Sequence, residues 1–525
     1  MIKFLRANKS FLICLFLFSF LIRVVVFIAY LSKNENFWQI DSNTYHEVAT
    51  QIADGKGVST LQGAPNFYRL PGYPIFLAIY YKTFGVDKKN VLWLQIFLAA
   101  FIPLLVFMLS LALFPKNLLL AKAAGIYSAM HLGLILYSGF FMTESLFIFL
   151  FLIFAILFLA SVHIRFCPRK NSFEGMEDNP KDVPFRYFAL PDPIASSEPY
   201  LMLFEEMFSS DLEAMARSCC YQAQPQPTYP LFFCSGITLG LASLVRPVGH
   251  YLIILAMALV FLSNEALMLK IRKCFFMSFG WFIPVAFWLA RNYMLAGALF
   301  FHTLPGGHFL YLSASRVAMH VHNCSYQEAR VILKNEVDGL IKQKEDEKNK
   351  ALSEIEKCNV HENLAIKYFK MRPFLTLKYW FTDMMRTSLS LYSAEILYLE
   401  SGRQEFDYFN KDRPTGSMFQ RYLFPQTNKL WLKLLIWFEI LLYLLTLIGL
   451  CAGALKIIIQ SIKNWTDENK KLLCAWTASV PFMTLFIFIA LAGGYARMRL
   501  PIEPFLIIFS LSFWIPLLAN FKNNS

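Results

Sequence analysis

Residues 145–164 read SLFIFLFLIFAILFLASVHI, twenty positions with no ionisable side chain other than His163. At 1.5 Å per residue such a helix is about 30 Å long, the thickness of a bilayer's hydrocarbon core. A run this long and this apolar exceeds any ordinary strand and leaves a helix no polar face to turn to water. Nine more blocks of the same character lie at 11–31, 91–114, 118–138, 231–245, 251–262, 275–289, 430–459, 472–492 and 505–519. Together they predict an all-α polytopic membrane protein with about ten to twelve transmembrane helices. Composition agrees, since 57% of residues are hydrophobic and 16% charged, where a soluble chain carries about 25% charge. The 231–245 and 251–262 blocks are short and meet at Arg246-Pro247, so two tilted spans and one re-entrant hairpin both fit. The first block is too long for a removed signal peptide and lacks its small-residue cleavage site, and is expected to be a retained anchor.

The formal net charge of +13 is not gathered on a soluble domain, so it does not point to nucleic acid; the basic residues flank spans instead. Lys3, Arg6 and Lys9 place the N-terminus in the cytoplasm by the positive-inside rule. Alternation from there puts Lys116 and Lys122, Arg165 with Arg169 and Lys170, Lys270 with Arg272 and Lys273, and Lys463 with Lys470 and Lys471 on that same side. The chain then divides into an N-terminal membrane part at 1–166 with a first outer loop at 32–90, a polar cytoplasmic insertion at 167–228, central membrane helices at 229–290, an outer helical region at 291–428 and C-terminal membrane helices at 429–525. In the first loop, 43–54 and 71–85 have the spacing of two short helices lying on the membrane surface. The insertion is proline-rich, with Cys219 and Cys220 adjacent, and carries no chemical motif. Residues 326–371 hold one glycine and no proline, and predict soluble helix stopped by Pro373. The segment 374–399 carries Lys378, Asp383, Arg386 and Glu395, which argues for an interfacial helix and against a span. Cys324 and Cys358 both fall in the outer region, as a disulfide or as two free thiols.

With the topology set, charged residues at membrane edges collect on the outer side: Asp41, Arg69, Glu144, Arg246, Arg291, Arg497 and Arg499. Arginine in short outer loops runs against the positive-inside bias. Converging guanidinium forks suit a phosphate carried on a lipid, because they bind it bidentately and stay charged near the bilayer. A carboxylate among them suits a base for an acceptor hydroxyl. Each residue also has a plainer reading. Asp41 is a good N-cap for the helix at 43–54, Glu144 a cap for its span or a partner for Arg291, and Arg246 and Arg291 interfacial anchors. His302, His308, His320 and His322 cluster in the outer region, and His320-Val321-His322 resembles half of a metal site, without a carboxylate at helical spacing to complete it.

The runs Asp41-Ser42-Asn43-Thr44-Tyr45, Gly55-Lys56-Gly57 and Arg69-Leu70-Pro71-Gly72-Tyr73-Pro74 resemble the first outer loop of the multi-span C-type glycosyltransferases, in particular the bacterial protein-mannosyltransferase-like group that includes the lipid A aminoarabinose transferases. Further marks follow in order at Thr143-Glu144, Leu244-Val245-Arg246-Pro247, Ala290-Arg291-Asn292-Tyr293 and Arg497-Met498-Arg499-Leu500-Pro501-Ile502-Glu503-Pro504. The resemblance implies a helical membrane domain with an outer soluble part. It implies Asp41 as catalytic carboxylate, Glu144 as a second acidic group near the acceptor, and Tyr45, Arg69, Arg246, Arg291, Arg497 and Arg499 as substrate contacts. The implied partners are a polyprenyl-phosphate sugar donor, a lipid or glycan acceptor (lipid A, another glycolipid, a polysaccharide or a protein) and membrane lipids. The sugar would invert on transfer, at an inner-membrane site facing the periplasm or exterior. No particular cofactor is implied, and a divalent metal is left open. True protein mannosyltransferases carry an Asp-Glu pair where this chain has Asp41-Ser42, which weighs against protein as acceptor. An O-antigen ligase or polymerase is the nearer alternative; a secondary transporter, which would place its charges at mid-span, is the more distant one.

Overall fold

The computed structural model describes residues 7–39, 41–115, 117–162, 229–263, 265–401, 427–463, 467–488 and 496–524. The polar insertion at 167–228, with Cys219 and Cys220, lies outside them. Among the described residues the backbone is helical, and the one β-type pairing is an isolated antiparallel bridge between Ser59 and Pro65.

The chain opens with α1 (Lys9–Val26), prolonged by a π-helical turn to Leu31. The first outer loop forms α2 (Ser42–Ala53) and α3 (Gly72–Phe84), within a residue or two of expectation. Next come α4 (Val91–Ala99) and α5 (Ile102–Leu113), broken at Ala100-Phe101, then α6 (Leu118–Met130), α7 (Leu132–Gly139) and α8 (Glu144–Ser161). After the insertion follow α9 (Tyr229–Val245), α10 (Gly249–Phe261) and the 30-residue α11 (Leu267–Ala296). Among the described residues, six helical stretches are long and apolar enough to cross a bilayer: Lys9–Leu31, Val91–Leu113, Glu144–Ser161, Leu267–Ala296, Leu430–Ile459 and Ala496–Leu518. The pair α6 and α7, bent by 50° at His131, makes a seventh, and α9 and α10 are the two shorter apolar helices. Where the structure describes them, all ten apolar blocks read from the sequence lie on helices; that at 472–492 is described to Phe488. Leu21, Phe287 and Trp437 stand 61%, 77% and 50% exposed on these helices, a liability in water and a requirement against lipid. The protein is an integral membrane protein.

Inside the bundle, small residues let backbones meet. A Cβ on Gly236 of α9 would lie 2.1 Å from the Met277 carbonyl of α11, and one on Gly280 of α11 would lie 2.2 Å from the Phe233 carbonyl of α9. His131, the mid-span histidine, is satisfied locally: Nδ1 accepts from Leu134 N at 3.4 Å, and Nε2 lies 3.6 Å from Glu503.

The outer region contains α12 (Leu304–His308), α13 (Ser315–Val321), α14 (Tyr326–Lys348), α15 (Glu354–Met371), α16 (Pro373–Leu389) and α17 (Ser393–Ser401). Leu310, Ala314, Leu333, Val337, Leu364 and Tyr368 belong to its own buried core. The soluble helix expected over 326–371 is two helices. Asn349 turns left-handed at φ 49° and ends α14, and Ser353 restarts the chain with a capping box to Glu356, a start signal legible as S-x-x-E. In the 374–399 segment, read as an interfacial helix, Phe374, Leu377 and Phe381 are exposed, while Asp383 is fully buried and paired bidentately with Arg316 at 2.9 and 2.5 Å. Cys324 and Cys358 are free thiols. The C-terminal membrane part holds α18 (Leu430–Lys463), α19 (Asp467–Phe488), the single turn α20 (Ala496–Arg499), a 3-10 turn at Leu500–Ile502 and α21 (Glu503–Asn524).

Candidate active site

Asp41 stands at the N-cap position of α2 yet makes no capping bond with its side chain. Ser42 secures the helix start instead, accepting from Gln39 N and donating to the Phe141 carbonyl, both at 2.9 Å. The Asp41 carboxylate is thereby left to turn toward two arginines. Arg69 Nη2 donates to Oδ1 at 2.6 Å, and Arg497 Nη2 to Oδ2 at 3.1 Å. Arg69 is itself fixed on every nitrogen: Nε donates to Thr44 Oγ1 at 2.9 Å and Nη1 to the Tyr45 hydroxyl at 3.2 Å, with the Tyr45 and Tyr68 rings 4.6 and 4.9 Å from its carbon. Arg497 Nε donates to Glu144 Oε1 at 2.5 Å, and Arg246 Nη1 stands 3.0 Å from the same oxygen.

The result is an alternating chain, Arg69, Asp41, Arg497, Glu144, Arg246, drawn from four parts of the sequence and carrying one surplus positive charge. Close backbone contact brings its ends together. A Cβ on Gly72, at the start of α3, would lie 2.7 Å from the Leu244 carbonyl at the end of α9, so only glycine lets the strands of chain bearing Arg69 and Arg246 approach so closely. Exposure divides the roles. The Asp41 side chain is 27% exposed and Arg497 19%, whereas Glu144 is at 0%. Asp41 and Arg497 are therefore open to a ligand, and Glu144 is a buried counterion that aims Arg497 and Arg246. Burial alone would raise the Asp41 carboxyl. The guanidinium groups of Arg497 and Arg69 outweigh it and hold the group well below the usual carboxylate range.

Two of the expected arginines lie elsewhere. Arg291 donates to the carbonyls of Val58 and Asn66 at 2.6 and 3.1 Å and lies against Trp288 and Phe67, propping the loop that presents Arg69. Arg499 is 2% exposed and spends its nitrogens on Glu503 at 2.6 Å and on the carbonyls of Thr387, Ser388 and Ser390. One residue gains interest. Burial pushes the His308 imidazole down to about 4, with Asp41, Arg69 and Arg497 all near enough to act on it. Sequence reading had met His308 only as one of four outer histidines.

A metal fits this centre poorly, because each carboxylate already faces two guanidinium groups and the surplus charge is positive. His320 and His322 are taken by the hydroxyls of Tyr379 and Tyr368, each at 2.8 Å, and no group of three potential metal ligands occurs among the described residues. A cavity of about 710 Å³ has a wall that includes Lys56, Pro71, Ile75, Leu244, Phe287 and Leu295; it meets the sequence neighbours of Arg69 and Arg246, at Pro71 and Leu244, and not the ion-chain residues themselves. It is apolar at Phe287 and Leu295 of α11 and basic at Lys56 and at Arg291 of the same helix.

Fold and site together define an integral membrane protein with a basic centre where several of its helices end. No family model matches the chain, and no curated protein matches it. Among solved structures it is similar to the archaeal oligosaccharyltransferase of Archaeoglobus fulgidus in complex with an inhibitory peptide and a dolichol-phosphate. The TM-score is 0.46 at 12% identity, over 99% of this chain and 52% of that one. The apo form of the Archaeoglobus fulgidus oligosaccharyltransferase gives 0.42 and 12%, over 95% and 50%. The chain thus spans about half the length of those enzymes. A likeness of this size carries no weight for function, which rests on the side chains of the site.

Proposed function

We propose that this protein is a membrane glycosyltransferase that moves a sugar from a polyprenyl-phosphate donor to an acceptor hydroxyl or phosphate on the outer face of a bacterial-type inner membrane. The observation that carries the reading is Arg497 bridging Asp41 and Glu144 within an ion chain that has one positive charge to spare, with a largely apolar cavity close by at Pro71 and Leu244. Such a centre attracts a phosphodiester and has a place for its apolar tail.

In this reading the donor phosphate takes up the surplus charge by competing with Asp41 for Arg497. Asp41, relieved of one guanidinium, accepts the proton of the acceptor group as its oxygen bonds to the sugar's anomeric carbon. The bond from that carbon to phosphate oxygen breaks, and polyprenyl phosphate leaves with the electron pair. Arg497 holds the phosphate in substrate and leaving group alike, joined by Arg69 through the second N–H groups that its bonds to Tyr45 and Asp41 leave on Nη1 and Nη2, and Tyr45 keeps Arg69 in place. The basic residues flanking the opposite helix ends support the outward orientation. Lipid A, another glycolipid, a polysaccharide and a protein remain the acceptors to sort.

The test uses purified protein with a polyprenyl-phosphate sugar labelled in the sugar, alongside mass spectrometry of lipid A and envelope glycans from cells with and without the protein. Release of free polyprenyl phosphate with label appearing on one acceptor class is expected. Binding of polyprenyl phosphate that is indifferent to Arg497→Ala would end this reading.

A further inference from the structure

Arg497 stands in the first turn of a helical stretch, where α20 passes through a 3-10 turn into α21, and the segment is held from outside as well. Arg246 Nη2 reaches Met498 Sδ at 3.6 Å, and two further holds are stronger. Downstream, Arg499 grips the carbonyls of Thr387, Ser388 and Ser390 at 2.9, 2.6 and 3.1 Å. Thr387 and Ser388 are in the last turn of α16 and Ser390 opens the connector to α17, and Glu439 of α18 takes the connector's other end, accepting from the backbone N–H groups of Tyr392 and Ser393 at 2.6 and 2.8 Å. Tyr443 adds a hydroxyl bond to the Ser388 carbonyl. Upstream, the Tyr392 hydroxyl reaches the Ala496 carbonyl at 3.0 Å and Glu503 Oε1 at 2.9 Å. A phenol has one proton for these two acceptors, but both lie on 496–503, so donation to either fixes the same segment.

We propose that Tyr392 is a positioning residue for Arg497: by holding the Ala496 carbonyl and Glu503 it sets the guanidinium between Asp41 and Glu144. The proposal rests on the reading of Arg497 as the donor-phosphate contact. The ring is placed as firmly as the hydroxyl. Tyr392 is 1% exposed, with its ring 5.2 Å from that of His131. It fits because residue 133 is glycine, where a Cβ would lie 2.6 Å from Tyr392 Cδ1. The connector also ties the outer region to the membrane part, so the clamp on 387–393 links the position of α16 to that of Arg497. Arg499 is then the lock on this clamp and has no nitrogen left for a phosphate.

Polyprenyl phosphate is the probe, since its headgroup is common to every donor of this class, and equilibrium binding to the purified full-length protein is the readout. Tyr392→Phe removes only the hydroxyl and is expected to weaken binding about tenfold, the size of one well-placed hydrogen bond. In an Arg497→Ala background the same change is expected to add nothing, because the group it positions is gone. Equal weakening in both backgrounds, or none in either, overturns the proposal, since a general packing role acts whether or not Arg497 is present. Glu439→Gln, which loosens the connector without touching the ring, is the second variant should Tyr392→Phe fold poorly, and is held to the same coupling. If Arg497→Ala alone leaves binding intact, the proposed function has failed instead.

Discussion

Both oxygens of Asp41 are occupied by guanidinium nitrogens, Arg69 on one and Arg497 on the other, so the group is a strong counterion and a reluctant base until a phosphate draws Arg497 away. Asp41→Asn keeps the shape and removes the base, and turnover is expected to fall by about 10²–10⁴-fold. Polyprenyl phosphate should bind no more weakly, because its competitor for Arg497 has lost its charge; normal turnover in purified Asp41→Asn would make Asp41 a structural counterion. A second expectation concerns acid. Burial pushes His302 and His308 down to about 4, below the ordinary histidine value of about 6.5. The unfolded chain therefore binds protons that the native one refuses between those values, so their contribution is complete above about 6.5 and is lost as pH falls toward 4. Asp41, shifted down from its ordinary value of about 3.9, withdraws its contribution only at still lower pH. The thermal midpoint should decline between pH 6.5 and 4.5, and decline less in a His302→Gln/His308→Gln variant; parallel curves would assign the slope to other groups. The five residues of the ion chain were legible in the sequence because charge at membrane edges is rare enough to be noticed one residue at a time. Arg291 and Arg499 drew the same notice, but their partners are backbone carbonyls, which leave no mark in a sequence.

Hydropathy marked the helices well because a span must be apolar along its whole length, whatever it packs against. It was blind to short interruptions: the bend at His131 and the break at Asn349 each involve only a few residues, and of the two only the second carries a cap signal, at Ser353. It also says nothing of which helices touch. The contact of α9 with α11 depends on Gly236 and Gly280, where a Cβ would strike backbone, and backbone cannot move aside as a flexible side chain can. Gly236→Ala should cost about 1–3 kcal/mol, as overpacking does, and lower the thermal midpoint. Gly339→Ala is the matched control, on the open face of α14 with nothing near its Cβ, and should be neutral or slightly stabilising; similar losses at both sites would refute close helix contact as the cause. The buried pair Arg316 and Asp383 joins α13 to α16. Asp383→Ala removes the buried carboxylate that Arg316 and, at 3.8 Å, Arg386 face and should destabilise by about 3–5 kcal/mol. Arg316→Met with Asp383→Leu removes both charges and should recover most of that loss in the thermal midpoint; a double variant as unstable as the single one would mean the pair does more than neutralise itself.

At the scale of the molecule, the ion chain can form only if the segments after α1, before α8, after α9 and before α21 end on one side of the bilayer. The 30 residues of α11 make a helix of about 45 Å, longer than the hydrocarbon core is thick, so its two ends belong to different compartments. Its C-terminal end is fastened to the first outer loop, where Arg291 takes the carbonyls of Val58 and Asn66, and the outer region is fastened there too, through Thr303 N to the Phe67 carbonyl at 2.9 Å. Leu61, 63% exposed in that loop, and Lys344, exposed on α14, thus lie on the side of Asp41, and Ala266, exposed just before α11, on the other. In the proposed orientation the Ala266 end, with Lys270, Arg272 and Lys273, faces the cytoplasm, as the positive-inside rule has it. Cysteines placed singly at 61, 344 and 266, with the unaltered protein as control for native thiols, should respond accordingly to an impermeant maleimide. Residues 61 and 344 should label in intact spheroplasts, and 266 only after permeabilisation. The reverse pattern would keep the fold and turn the site toward the cytoplasm, ending the outer-face assignment. Labelling of 61 with protection of 344 would split the outer region from the loop it is bonded to and break the structural basis of the site itself.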